Sequence, residues 1–311
     1  MSPPTCDKKR LDDLAGETGF QRDALEKTMR LAAVLGRVSG HRLLSKALAL
    51  NGGAAVNLAL LDLPRLCGAL DFDYAVDDGP LDPSADRKRI SAELCLLMEP
   101  DGYAPSVRSR SGRLVDSLVF LYISSGGLRD SLKIDVDYSN RRRVLPMETI
   151  PLRTAGLFPE AEFLSAAPLE IFASRIVSLL VRAAPGDLYD VVGLIRSGRF
   201  GRAGGDGLRR CVAFHLARAG VKNAAAADFR RADKIGRRDV SFNLSRMLRK
   251  KENFDLGAAK TQAKEYLAGL LAWTEDEAQF FDDYQNGVYR PELLFSGEQL
   301  ERVRRRPADW G

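Results

Sequence analysis

Leu48-Ala49-Leu50-Asn51-Gly52-Gly53-Ala54-Ala55-Val56, and after it Asp71-Phe72-Asp73-Tyr74-Ala75-Val76, set the frame for the whole chain. A short apolar run meets a glycine pair that opens an alanine- and leucine-rich segment, the pattern of a strand, a tight turn and a helix from about Ala54 to Leu61. Glycines let backbone N–H groups approach an anion, and a helix start favours negative charge, so Gly52 and Gly53 read as a phosphate cradle. Asp71 and Asp73 stand at i and i+2, and on a strand that period places both carboxylates on one face.

The flanking sequence is helical before this core and mixed after it. Leu11 to Ser39 carries Leu25, Met29, Ala32 and Leu35 at helical spacing, which predicts one N-terminal helical segment within residues 1–40. The turn formers of Asp77-Asp78-Gly79-Pro80 end the acidic strand, and Asp86 to Leu97 reads as a helix. Val115 to Ile123 and Leu132 to Tyr138 are strand-like runs joined by Ser124-Ser125-Gly126-Gly127, a hairpin connection. The second run places Asp135 and Asp137 on a common face. Val144 to Leu152 adds a short strand that Pro146 confines to an edge or irregular position.

Beyond Pro168 the pattern is helical. Ile171, Phe172, Ile176, Leu179 and Leu180 form one apolar stripe; Pro185-Gly186 breaks it, and Asp187 opens the next helix as an acidic N-terminal residue. The expected organisation is therefore a helical segment (1–40), an α/β core (41–167) and an all-helical C-terminal domain (168–311). The class is α+β, because the strands do not alternate with helices regularly enough for a Rossmann fold.

Composition narrows the function classes. With 45% hydrophobic and 29% charged residues the chain has ordinary globular composition, and a formal net charge of +5 is compatible with an anionic partner. Cys6, Cys67, Cys95 and Cys211 lie far apart, with no CxxC pair and with His41 and His215 as the only imidazoles, so neither a zinc site nor a disulfide framework is read. Lys8-Lys9-Arg10 is followed by no apolar leader core, and no apolar run approaches the roughly 18 residues of a membrane helix. The expectation is a cytoplasmic protein without a membrane span.

Nucleotidyl transfer needs a divalent metal held by carboxylates, a cradle for the triphosphate and an aligned hydroxyl. Asp71 and Asp73 supply a metal pair, and either Asp135 or Asp137 a third carboxylate that also helps deprotonate the nucleophile. Arg175 and Arg182, at i and i+7 on one helix, supply charge for the triphosphate. Each feature has an ordinary alternative: a lone DxD is common at strand ends, Gly-Gly is often only a turn, and alternating acids often mark a solvent face. Their joint order carries the functional reading.

That order resembles the AbiEii/AbiGii-type abortive-infection toxins of the nucleotidyltransferase superfamily. Asn51-Gly52-Gly53-Ala54-Ala55 looks like the family's turn, Asp71-Phe72-Asp73 its acidic strand, and Lys133-Ile134-Asp135 its later acidic strand. Leu169 through Arg175 and Arg182 to Asp187-Leu188-Tyr189-Asp190 is similar to its helical motif. The resemblance implies a polymerase-β-type nucleotidyltransferase core and Mg²⁺ bound by Asp71, Asp73 and Asp135. It assigns Gly52, Gly53, Arg65 and Arg182 to the nucleotide, and catalytic roles to Asp71, Asp73, Asp135, Arg175 and Asp187. It further implies an NTP substrate, an RNA, tRNA or protein acceptor, and a cognate antitoxin. The chain departs from the pattern at Cys67 and Ala69, where the family has arginine and serine or threonine, at Arg175 in place of lysine, and at Gly186 in place of arginine. With the basic run from Arg230 to Lys251, these departures support an alternative: a catalytically degenerate nucleotide- or RNA-binding protein of the same fold. A structural role as one half of a protein complex is a third class.

Overall fold

A computed structural model describes residues 8–76, 84–139, 143–154, 156–158, 160–201 and 205–304. Asp77 and Asp78, and Arg305 and Arg306 near the C-terminus, lie outside them. The chain divides into two compact units, one comprising residues through Arg141, Met147–Ala166 and Ser245–Glu252, the other Arg142–Pro146, Ala167–Leu244 and the residues from Asn253 on.

The first unit is a mixed sheet with flanking helices. α1 (Lys8–Thr18) and α2 (Arg22–Ser39) replace the single expected helical segment; Gly19 adopts φ +76°, a left-handed conformation that ends α1. α3 (Leu44–Ala47) leads into β1 (Leu48–Asn51), and α4 (Gly52–Ala55) follows it directly, two residues earlier than the sequence pattern predicts. A π-helical turn, Val56–Leu60, continues α4, with the Leu61 N–H donating to the Val56 carbonyl at 2.8 Å. β2 (Leu70–Tyr74) then pairs with β1 in antiparallel fashion.

α5 (Ser84–Met98) precedes the short strands β3 (Ala104–Pro105) and β4 (Arg110–Ser111). β5 (Val115–Ile123) and β6 (Arg129–Asp137) form the expected hairpin, whose turn is tied down by the buried Glu26 carboxylate accepting from the N–H (3.0 Å) and hydroxyl (2.7 Å) of Ser125. β7 (Glu148–Pro151) is an edge strand, as Pro151 requires, and β8 (Glu162–Ser165) joins it to β1. The sheet order is β3-β5-β6-β2-β1-β8-β7, with β4 on β5.

Register in the centre of this sheet follows from alternation. Leu70 and Phe72 of β2, and Leu132, Ile134 and Val136 of β6, are at most 2% exposed. Burying each such side chain stabilises by about 1.5–3 kcal/mol. A one-residue slip would exchange these apolar side chains for Asp71, Asp73, Asp135 and Asp137, so burial of one face holds the acids on the other.

The second unit is helical. α6 (Pro168–Val181) starts with proline in its first turn, and Ile171, Phe172, Ile176 and Leu179 are fully buried, as their spacing predicts. α7 (Pro185–Arg196), α8 (Gly205–Arg218) and α9 (Arg230–Asp233) pack on α6. α10 (Arg237–Asn243) and α11 (Leu256–Leu270) pack on α7, α12 (Glu275–Gln285) on α8, and α13 (Gly297–Val303) closes the unit. Residues 143–146 enter it through Glu170, which accepts the Val144 N–H at 2.9 Å. No helix among the described residues is long and apolar enough to cross a membrane.

Candidate active site

Asp71 lies opposite Asn51 at the end of β1, with Asp135 beside it on the next strand. Gly52 has φ +67°, and a Cβ there would lie deep inside the Asp71 carboxylate and 3.0 Å from the Asp71 Cβ. Glycine is thus required twice, for the backbone conformation and for the approach of Asp71. Asn51, opposite Asp71 in the register, donates from Nδ2 to Asp73 Oδ2 at 2.6 Å, and this bond orients a carboxylate that is only 3% exposed. Asn51 is in the helix-capping position but its amide is committed to Asp73 rather than to the helix. Gly53 lies within α4, where its carbonyl accepts from the Asn57 side chain at 2.8 Å.

β6 runs parallel to β2 and sets Asp135 beside Asp71 and Asp137 beside Asp73. The two acids of β6 are used differently. Asp137 Oδ1 accepts from the Ser139 N–H at 2.7 Å and hydroxyl at 2.6 Å, which ends the strand locally. Asp135 accepts from the Ser117 hydroxyl, its cross-strand neighbour, and from Lys133 Nζ at 2.6 Å. Asp135 is the β6 acid paired with Asp71, and the Lys133 side chain that neutralises it is about half exposed.

These carboxylates fit a divalent cation by chemistry: adjacent hard oxygen donors on neighbouring strands, backed by a backbone that excludes any side chain at Gly52. As the side chains stand, no three His, Cys, Asp or Glu residues among the described ones are gathered closely enough to hold an ion. Asp135 in particular is held by Lys133. Arg65 is 9% exposed and donates to the Leu66 carbonyl at 2.9 Å in the loop before β2.

Arg175, Arg182 and Asp187 come together in the helical unit. Arg175 Nη2 donates to Asp187 and lies 3.1 Å from Asp190 Oδ2, with all three side chains almost wholly buried. Arg182 donates to Asp187 through Nε (3.1 Å) and Nη2 (2.6 Å), and its side chain is 63% exposed. Burial opposes ionisation of Asp187, but the charge of Arg175, the hydrogen bond and charge of Arg182 and the Ala184 N–H more than offset it, holding the carboxyl below its ordinary range. Beside this cluster in the chain, Ala183 adopts φ +57°. A second buried group joins Glu170, His215 and Arg143; burial pushes His215 down, and Glu170 only partly opposes it.

A family model described as nucleotidyl transferase AbiEii toxin, type IV TA system, matches residues 34–268. The chain belongs to the AbiEii nucleotidyl transferase toxin family. Gly52, Asp71, Asp73, Asp135, Arg175 and Asp187 all fall within the matched span. Among solved structures, the chain is similar to MenT4, a nucleotidyltransferase toxin from Mycobacterium tuberculosis H37Rv, with a TM-score of 0.64 and 18% identity over 93% of this chain and 99% of that one. This likeness shows the fold, an α+β nucleotidyltransferase-like mixed sheet with flanking helices followed by C-terminal helices. No curated protein sequence matches significantly.

Within the AbiEii frame, the departures have structural occupations. Cys67 is buried, and its N–H and carbonyl both bond the Thr28 hydroxyl at 3.1 Å, fastening the approach to β2 onto α2. Gly186 sits in the first turn of α7. Sequence reasoning gave no role to Asn51, Ser117, Lys133 or Asp190. Two could have been found: Lys133 shares the face of Asp135 by period 2, and Asp190 lies one turn after Asp187. Asn51 and Ser117 act through cross-strand pairing, which sequence spacing does not carry.

Proposed function

We propose that this chain is a Mg²⁺-dependent nucleotidyltransferase toxin that moves a nucleoside monophosphate from an NTP to a hydroxyl on RNA, tRNA included, or on protein. It acts in the cytoplasm, and a cognate antitoxin counters it. The observation that carries this reading is the pairing of Asp71 with Asp135 in register, next to the glycine turn at Gly52.

Asp71, Asp73 and Asp135 would hold the metal, which when bound neutralises phosphate charge and polarises the attacked phosphorus. Asn51 orients Asp73 for that task. The backbone N–H groups at Gly52 and Gly53 bind phosphate oxygens, and Asp135 receives the proton of the attacking hydroxyl as its oxygen bonds to the α-phosphorus and pyrophosphate leaves. Arg175 with Asp187 and Asp190 stiffens the helical unit, and Arg182, the most exposed of that cluster, carries its charge at the surface while bonded to Asp187. Incubation with each α-labelled NTP, Mg²⁺ and total RNA or protein tests the reading, because label must appear in a macromolecule.

One observation favours the second reading, RNA binding without transfer. On α10 the Arg238 guanidinium lies 5.7 Å from the ring centre of Phe242, which is 59% exposed, the pairing on which bases stack. RNA affinity that falls steeply with salt and ignores Mg²⁺ would support it.

A further inference from the structure

We propose that the first unit carries a second ligand site, away from the catalytic aspartates, that takes a phosphate-bearing small molecule of nucleotide size. A cavity of about 580 Å³ opens between the turn after α2, α3, the end of β2 and α5. That volume is within the range of small-molecule sites. Tyr74, in its wall, stands three residues from Asp71 along β2 and pairs with Leu48, at the end of β1 remote from Gly52. Odd spacing also puts Tyr74 on the opposite sheet face from Asp71 and Asp73, so the cavity is separate from the glycine turn.

Its charge distribution points to an anion. Arg42, Lys46 and Arg89 reach the cavity from three different elements, and none of them forms an ion pair or side-chain hydrogen bond among the described residues. Elsewhere in the same unit Lys27, Arg37 and Arg87 are each paired with an acid.

Among the described residues, the two acids that line the cavity are engaged. Asp86 accepts from the Tyr74 hydroxyl, and Glu93 Oε2 lies 3.5 Å from His41 Nε2. His41 Nδ1 accepts the N–H groups of Leu43 (3.3 Å) and Leu44 (3.2 Å), which leaves its proton on Nε2, facing Glu93. Among the described residues, three cations without an acidic partner therefore face an opening whose two acids are engaged. Phosphate, with several acceptor oxygens and up to two charges, satisfies them. The remaining volume accommodates a nucleoside.

The proposal does not rest on the transferase reading. Titration calorimetry with GMP, AMP and pyrophosphate, in EDTA, on the full chain, on Arg42→Gln/Lys46→Gln/Arg89→Gln and on Asp71→Asn/Asp73→Asn tests it. Binding that persists in the aspartate variant and weakens about tenfold or more in the triple variant is expected, as for loss of charge-assisted hydrogen bonds. Tighter binding of a nucleotide than of pyrophosphate assigns the nucleoside to the cavity. Pyrophosphate binding as tight as either nucleotide would overturn the nucleotide-sized ligand. No binding at millimolar ligand, or affinity unchanged in the triple variant and in Arg89→Gln alone, would overturn the site.

Discussion

Gly52 and Asp71 occupy each other's space: the glycine, in a left-handed conformation at the end of β1, leaves the volume that the Asp71 side chain fills. The turn and the acid are thus one structural element, although a loop and a π-helical turn separate them in the chain. Gly52→Ala adds a left-handed cost of roughly 1–2 kcal/mol and forces the Asp71 carboxylate aside. The expected outcome is a melting temperature lower by several degrees together with loss of transfer activity, read by calorimetry and label transfer on one preparation.

Asn51 donates to the buried Asp73 carboxylate. Its removal in Asn51→Ala takes away a charged hydrogen bond, and about 1.5–3 kcal/mol of stability goes with it. Urea unfolding with an unchanged slope would report that loss, and a shift within error of zero would show that the amide does not hold Asp73.

Lys133 occupies an oxygen of Asp135 that a metal would need. Because the Lys133 side chain is about half exposed, the pair is worth only about 0.2–1 kcal/mol. Lys133→Met is expected to tighten Mn²⁺ binding by about two- to fivefold, measured by calorimetry without nucleotide. Unchanged affinity would separate Lys133 from the metal site.

The acid cluster of the helical unit predicts a pH dependence. The folded-state pKa of Asp187 is depressed, so its contribution is complete above the unfolded carboxylate value of about 3.9 and is lost as pH falls through the lower folded value. Glu170 behaves alike, held down by His215 and Arg143 against the effect of burial. His215 is also depressed, chiefly by burial, so the unfolded chain takes its proton first and stability begins to fall below about pH 6.5. Arg175→Met, which leaves Asp187 and Asp190 without their buried cation, costs about 3–5 kcal/mol and moves acid unfolding to higher pH. Circular dichroism across pH 7 to 3 checks both effects, and Arg182→Met, at an exposed side chain, shifts the transition much less.

The period of two in Asp71-Phe72-Asp73 and in Asp135-Val136-Asp137 was legible because apolar neighbours at alternate positions leave a single register. The hairpin at Ser124 to Gly127 and the stripe of α6 were legible for the same local reason. Long-range events were not. The return of residues 245–252 to the first unit depends on the Leu66 N–H bonding the Met247 carbonyl at 2.8 Å and on Arg249 lying 4.5 Å over the Phe20 ring. Neither contact has a periodic signature in the sequence. Arg175 and Arg182 read as one helical stripe, but Asp187 and Asp190 on the next helix draw Arg175 into the interior and leave Arg182 exposed.

Transfer of label from an α-labelled NTP, compared across wild type, Asp71→Asn/Asp73→Asn, Asp135→Asn and Asp137→Asn, shows whether Asp71, Asp73 and Asp135 carry the reaction. The register and the Ser139 contacts of Asp137 predict transfer by wild type, near-complete loss in the first two variants and substantial activity in Asp137→Asn. Transfer that survives in Asp71→Asn/Asp73→Asn, or a wild type that transfers no label from any NTP, would rule out metal-dependent transfer at these aspartates.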